Sequence, residues 1–214
     1  LAMYDYGVDL VVDEIQVATY KVLESLYIIG TNLPLTKAKK FLRTAIAANR
    51  ASIGTCLASM SNAVPVAFLE PQLSKFNPNS VLGSGFSERS LEAQEVTARI
   101  EQSVSSLDAL IAEVGVYVDE GKSYIEAPHI IDVILPFLCS YLPTWWHKGP
   151  DNVDPKGGSH ITMVTTDHMN QLFKMILRLI MNNVGVDTSE WMTTIATYSG
   201  QIIINTSEEI LKDP

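Results

Sequence analysis

Metal or acid–base chemistry in this 214-residue chain would have to draw on four histidines (His129, His147, His160, His168), two cysteines (Cys56, Cys139) and 24 Asp and Glu. Zinc needs several such ligands at fixed spacing, yet neither an HExxH motif nor paired cysteines occur, and His160 meets His168 only if the segment between them folds back. The spacing predicts helix-end and surface histidines, with no metal and no other cofactor. Cys56 and Cys139 lie in apolar helical patterns without a fixed cation to lower a thiol pKa, which predicts two buried, reduced thiols. Glu92 with Glu95, and Glu208 with Glu209, stand in polar contexts typical of solvated helix faces. Gly83-Ser84-Gly85 has the glycines of a phosphate loop, but no strand precedes it and no Lys-Ser or Lys-Thr follows. No enzymatic activity is expected.

Charge narrows the choice of partner. A net charge of −9 and a pI near 4.8 exclude nucleic acid as the main ligand, because that affinity rests on clustered Lys and Arg. One basic cluster stands out against this background: Lys37, Lys39, Lys40 and Arg43, at the start of a helix where the macrodipole disfavours positive charge and a partner would offset the cost. With Phe41 and Ile46 it has the look of a calmodulin target, and a solvated helix start is the plainer alternative. Trp145 and Trp146 close an apolar helix, either as an exposed anchor or with one ring packed inward and the other covering a seam.

The elements that must position these residues read as helices throughout. A first helix from Asp9 or Asp13 to Gly30 repeats Ile15, Thr19, Val22, Leu26 and Ile29 at helical spacing. After the turn at 31–34 a second runs to about Asn62, with Leu42, Ile46, Ile53, Leu57 and Met60 as its apolar stripe, and the two are expected to form an antiparallel hairpin. Prolines at 65, 71 and 78 limit the next stretch to one short helix near 66–76. A capped start in 87–101 and the face Val104, Leu107, Leu110, Ile111 and Val114 predict helix before Gly121.

Residues 127–146 are apolar nearly all round and read as the central helix. Its core candidates are Ile131, Ile134, Leu138, Trp145 and Trp146, and Pro136 and Pro143 threaten the carbonyls of Asp132 and Cys139. The apolar run at 130–142 holds Asp132 and Pro136 and falls short of the roughly 20 residues that cross a bilayer, so no membrane insertion is expected. A helix capped by Thr165 or Thr166 turns Met169, Leu172, Ile176 and Leu179 inward. A last one places Trp191, Ile195, Tyr198 and Ile202 in the core. Flexible loops are expected at about 79–90 and 151–162. The fold class is all-α, a single helical domain of stacked antiparallel hairpins, solenoid-like in the armadillo or HEAT manner.

Three blocks of sequence resemble the ryanodine receptors, intracellular calcium-release channels: PVAFLEPQLSKFNP at 65–78, PHIIDVILPFLCSYLPTWWHKGP at 128–150, and NNVGVD at 182–187 followed by Trp191-Met192. They occur in the family's order and at similar spacing, and the weaker DEIQV at 13–17 extends the resemblance over most of the chain. Between 80 and 106 the family pattern survives only as Ser87-Glu88-Arg89-Ser90, which fits an outlying, invertebrate member. The resemblance implies a fragment of the helical solenoid in the cytosolic shell of a homotetramer, on the cytoplasmic face of the endoplasmic or sarcoplasmic reticulum. Its implied partners are other domains of the same channel and neighbouring subunits. Calmodulin binds the family near this region, at no residue that can be named here, and the pore and the activating-ligand sites lie elsewhere. The implied role is structural and allosteric coupling; a free-standing helical-repeat adaptor is the alternative.

Overall fold

The computed structural model describes residues 13–31, 40–64, 67–77, 80–81, 91–152, 160–183 and 190–205, and every regular element among them is helical. The fold is all-α. The first two helices, α1 (Asp13–Thr31) and α2 (Lys40–Ala63), pack against each other. The buried face of α1 differs from the expected one. Val17, Tyr20, Leu23 and Tyr27 point inward, while Ile15, Val22 and Ile29 stay 42%, 46% and 39% exposed. Two tyrosines bury more area than β-branched side chains can, and they set the rotation of the helix. Glu24 is buried as well, and Arg99 pairs with it at 2.7 Å.

In α2 the first buried residue is Gly54, followed by Leu57, Ala58 and Ser61. The expected stripe therefore holds only near the end of the helix: Leu42 is exposed, and Ile46, Ile53 and Met60 are half-buried. Cys56 departs from expectation too. It lies exposed on α2, whereas Cys139 is buried, and burial pushes the Cys139 thiol pKa far up.

After a short 3₁₀ turn at Pro71–Phe76 come α3 (Leu91–Ser103) and α4 (Leu107–Asp119), separated where the Ser106 side chain accepts the N–H of Ala109 as an N-cap. The central helix follows. It starts at Pro128, widens into a π turn at Ile130–Ile134 and continues as α5 (Leu135–Trp146). No residue from 128 to 146 is exposed. Two further helices, α6 (Thr166–Asn183) and α7 (Glu190–Asn205), close the bundle. α2, α6 and α7 all pack on α5, and α1, α2, α4 and α7 touch the π turn.

The π turn resolves the difficulty posed by Pro136. In a regular α-helix that proline would supply no N–H to the Asp132 carbonyl and its ring would press on it. Here the N–H of Leu135 bonds five residues back to Ile130 instead. The Asp132 carbonyl turns toward α2, where a Cβ on Gly54 would come within 1.9 Å of its oxygen. Only glycine allows that approach, and its Cα–H faces the carbonyl that proline left unserved. Eight residues further along, Asn62 donates to the Ser140 hydroxyl across the same offset of 78 residues. The two helices thus run parallel and in register.

Candidate functional site

Several polar groups, some buried and some at the surface, tie the helices together, and each raises the question of chemistry. Glu70, between Leu69 and Pro71 in the turn after α2, is 4% exposed. Its carboxylate accepts the Thr162 hydroxyl at 2.5 Å, the Met163 N–H at 2.7 Å and, more loosely, the Tyr141 hydroxyl at 3.4 Å. Burial holds its pKa above the usual carboxylate range, and the bonds from Thr162 and Met163 oppose that rise. The Tyr141 phenol is in turn held well above its ordinary pKa by burial and by Glu70. All three donors come from the chain's own framework, so this carboxylate works as a clamp that ties the 67–76 turn and the central helix to the segment before α6.

The start of α6 carries two caps. Asp151 accepts both the N–H and the hydroxyl of Thr166, at 2.6 and 2.7 Å, and these bonds hold its pKa below the ordinary range. His168 Nδ1 accepts the Thr165 N–H at 3.0 Å, which leaves the proton on Nε2 to be donated to Asp108 on α4, also at 3.0 Å. Histidine here takes the part of the glutamate in a capping box. His168 is committed to a helix start and a neighbouring carboxylate, and His129 Nε2 lies 3.0 Å from Glu113. Among the described residues no group of three or more His, Cys, Asp or Glu could hold a metal ion.

Asp132 in the π turn is buried; its carboxylate accepts the Tyr124 hydroxyl at 2.7 Å. Burial raises its pKa, and Tyr124 and the positive charge of Arg50 pull the other way. Lys148 lies 4.6 Å over the Trp145 ring, and burial lowers its pKa to about 8.

The core candidates come together around α5. Ile131, Ile134, Leu138, Trp145, Trp146, Leu172 and Ile176 are all buried in one cluster. Trp145 is fully enclosed beside Tyr141, and Trp146 covers the seam to α6, where its indole N–H donates to Thr166 at 3.1 Å. The Trp191 side chain lies outside the described residues. So do Lys37 and Lys39, while Lys40 and Arg43 are exposed on α2. Of the expected loops, 82–90 and 153–159 lie outside the described residues. Their margins are firmer than expected: Ser80, Val81 and Thr162 are buried, and the Val81 N–H is bonded to Gln16.

One open surface feature is a groove of about 330 Å³ between α4 and α6, lined by Asp108, Ile111, Ala112, Gly115, Gln171, Lys174 and Met175. Sequence reasoning missed this groove and the clamp at Glu70. A lone acid in the apolar, proline-bounded run at 65–71 was the available signal for the clamp. Its partners, 71 to 93 residues away, left none. No known family model matches the chain. No helix among the described residues is long and apolar enough to cross a membrane.

Proposed function

We propose that this chain is a non-catalytic scaffold segment of a ryanodine receptor, the tetrameric calcium-release channel, and that it carries displacement between neighbouring cytosolic elements. The observation that supports the reading is a coincidence: residues 128–150, the block that most closely resembles the family, contain the helix with no exposed residue, around which the other helices gather. A helix enclosed on every side moves only with its neighbours. Close-packed interfaces shift between discrete arrangements and do not deform smoothly, so such a core passes on a push received at one face. The partners on this reading are other domains of the same channel and adjoining subunits, on the cytoplasmic face of the reticulum.

The test is calcium release from full-length channels carrying Ile134→Ala, with tetramer assembly measured in the same preparation. Altered opening in assembled tetramers is the expected result. Unchanged release, in channels whose segment is measurably less stable, would remove the coupling role. A second reading, a free-standing adaptor that binds partner helices, draws on the open groove between α4 and α6. It predicts a stable monomer that captures a helical peptide in that groove.

A further inference from the structure

We propose that the first turn of α6 is a proton-operated latch: with a neutral ring His168 caps the helix, and with a charged ring it lets go of the backbone and holds α4 instead. The device belongs to the fold and does not rest on the channel reading.

The geometry fixes what a proton would do. His168 Nδ1 is 3.0 Å from the Thr165 backbone nitrogen and 3.0 Å from the Thr165 hydroxyl oxygen, while Nε2 is 3.0 Å from Asp108. Accepting the N–H requires a lone pair on Nδ1, so the capping ring is neutral and carries its single proton on Nε2. A second proton has one place to go, Nδ1. There it opposes the backbone N–H, and the acceptor within reach is the Thr165 hydroxyl. The cap bond is lost, the ring proton turns to the hydroxyl, and the contact with Asp108 becomes an ion pair. A glutamate or glutamine in the same place keeps its acceptor at neutral pH, so the exchange is a property of the histidine. Asp108 also stands at the rim of the groove between α4 and α6, so the latch decides how firmly that rim is held.

The surroundings accommodate both forms. The His168 side chain is 15% exposed, enough for water to deliver the proton. Three carboxylates face it from neighbouring elements: Asp108 on α4, Asp151 in the turn at 150–152, and Glu70, which is bonded to the segment just before α6. Asp151 holds the next N–H, that of Thr166, at 2.6 Å, and its pKa lies below the ordinary range. It therefore stays ionised while a histidine titrates, and α6 keeps one capped N–H when the other is released.

His129 supplies the contrast. It too meets an α4 carboxylate, Glu113, through Nε2 at 3.0 Å, but its buried Nδ1 has no hydrogen-bond partner among the described residues. Its protonation breaks no backbone bond. Of the two histidines that α4 holds, His168 is the one that converts a proton into a change of helix capping.

NMR on the isotope-labelled chain between about pH 8 and about pH 5, the window in which histidines titrate, tests this. The His168 ring signals report the proton, and the nitrogen–nitrogen coupling across the bond from the Thr165 N–H to Nδ1 reports the cap. The coupling is expected to disappear as the ring is protonated. Exchange protection of the Thr165 amide, corrected for the intrinsic rate, is expected to fall about fivefold to tenfold, the worth of one hydrogen bond, while that of Thr166 persists. His168→Gln keeps an acceptor that takes no proton, and is expected to hold the Thr165 amide equally across the window. Asp108→Asn is expected to keep the cap and to move the transition to lower pH by about half a unit or less, because that carboxylate is 87% exposed. A Thr165 bond that survives protonation of the ring overturns the proposal, and so does a ring that stays neutral throughout. A loss of protection that persists in His168→Gln overturns it too, by assigning the transition to Glu70.

Discussion

α2 and the central helix lie side by side along eight residues, yet one leaves residues 40–44 in water and buries nothing fully before Gly54, while the other exposes nothing from 128 to 146. The central helix is apolar on every face and must be covered on every face. α2 is amphipathic only over the part that has a neighbour. Its C-terminal half meets the π turn through Gly54 and α5 through Asn62, and its N-terminal half carries cations and a bare Phe41. A single helix can therefore belong to the core at one end and lie open to solvent at the other.

The contrast can be broken most directly at Trp145. Its side chain is fully buried, and Trp145→Ala is expected to cost about 3–5 kcal/mol, read from urea denaturation. Gly54→Ala comes next. The added methyl collides with the Asp132 carbonyl and the Val133 Cα, both backbone, so α2 must back away, at a cost of about 1–3 kcal/mol. A smaller cost would show that the parallel helices separate easily. Glu70→Gln replaces an acceptor with an amide that turns an N–H toward the clamp's donors. It is expected to cost about 1–2 kcal/mol in the same assay.

Asp132→Asn sharpens the comparison through pH. Burial raises the folded pKa of Asp132, so the folded chain holds this proton more tightly than the unfolded chain. Its contribution to stability therefore falls as pH rises from the ordinary carboxylate pKa through the raised one. The asparagine variant is expected to lose that slope: relative to wild type it gains stability at neutral pH and loses the advantage on acidification. Asp151, whose pKa is lowered, has the opposite sign and its contribution fades in acid, so the difference between variant and wild-type melting curves is the quantity to follow. The smallest effect belongs to the exposed start of α2, where Phe41→Ala is expected to change stability by less than about 0.5 kcal/mol.

What the sequence disclosed follows the same division. The inward face of α6 at Met169, Leu172, Ile176 and Leu179 was legible because its apolar residues repeat at helical spacing against a polar far side. The orphaned carbonyl of Asp132 was legible as a problem, since Pro136 creates it, but the π turn and the glycine on another helix that resolve it were not. The face of α1 was misread because aliphatic periodicity and buried tyrosines disagreed, and Tyr20 and Tyr27 took the buried face. The clamp and the groove depend on residues far apart in the chain, which no local pattern records.

The 78-residue offset between α2 and the central helix also bears on how the chain is made. At a synthesis rate of 5–20 residues per second, α2 leaves the ribosome about 4–16 s before the segment that covers its buried face. For that interval Gly54, Leu57 and Ala58 face solvent, and the nascent chain depends on α1, already synthesised, to shield what it can. Chaperone contacts during translation should therefore concentrate on the stretch between the end of α2 and the emergence of Trp146.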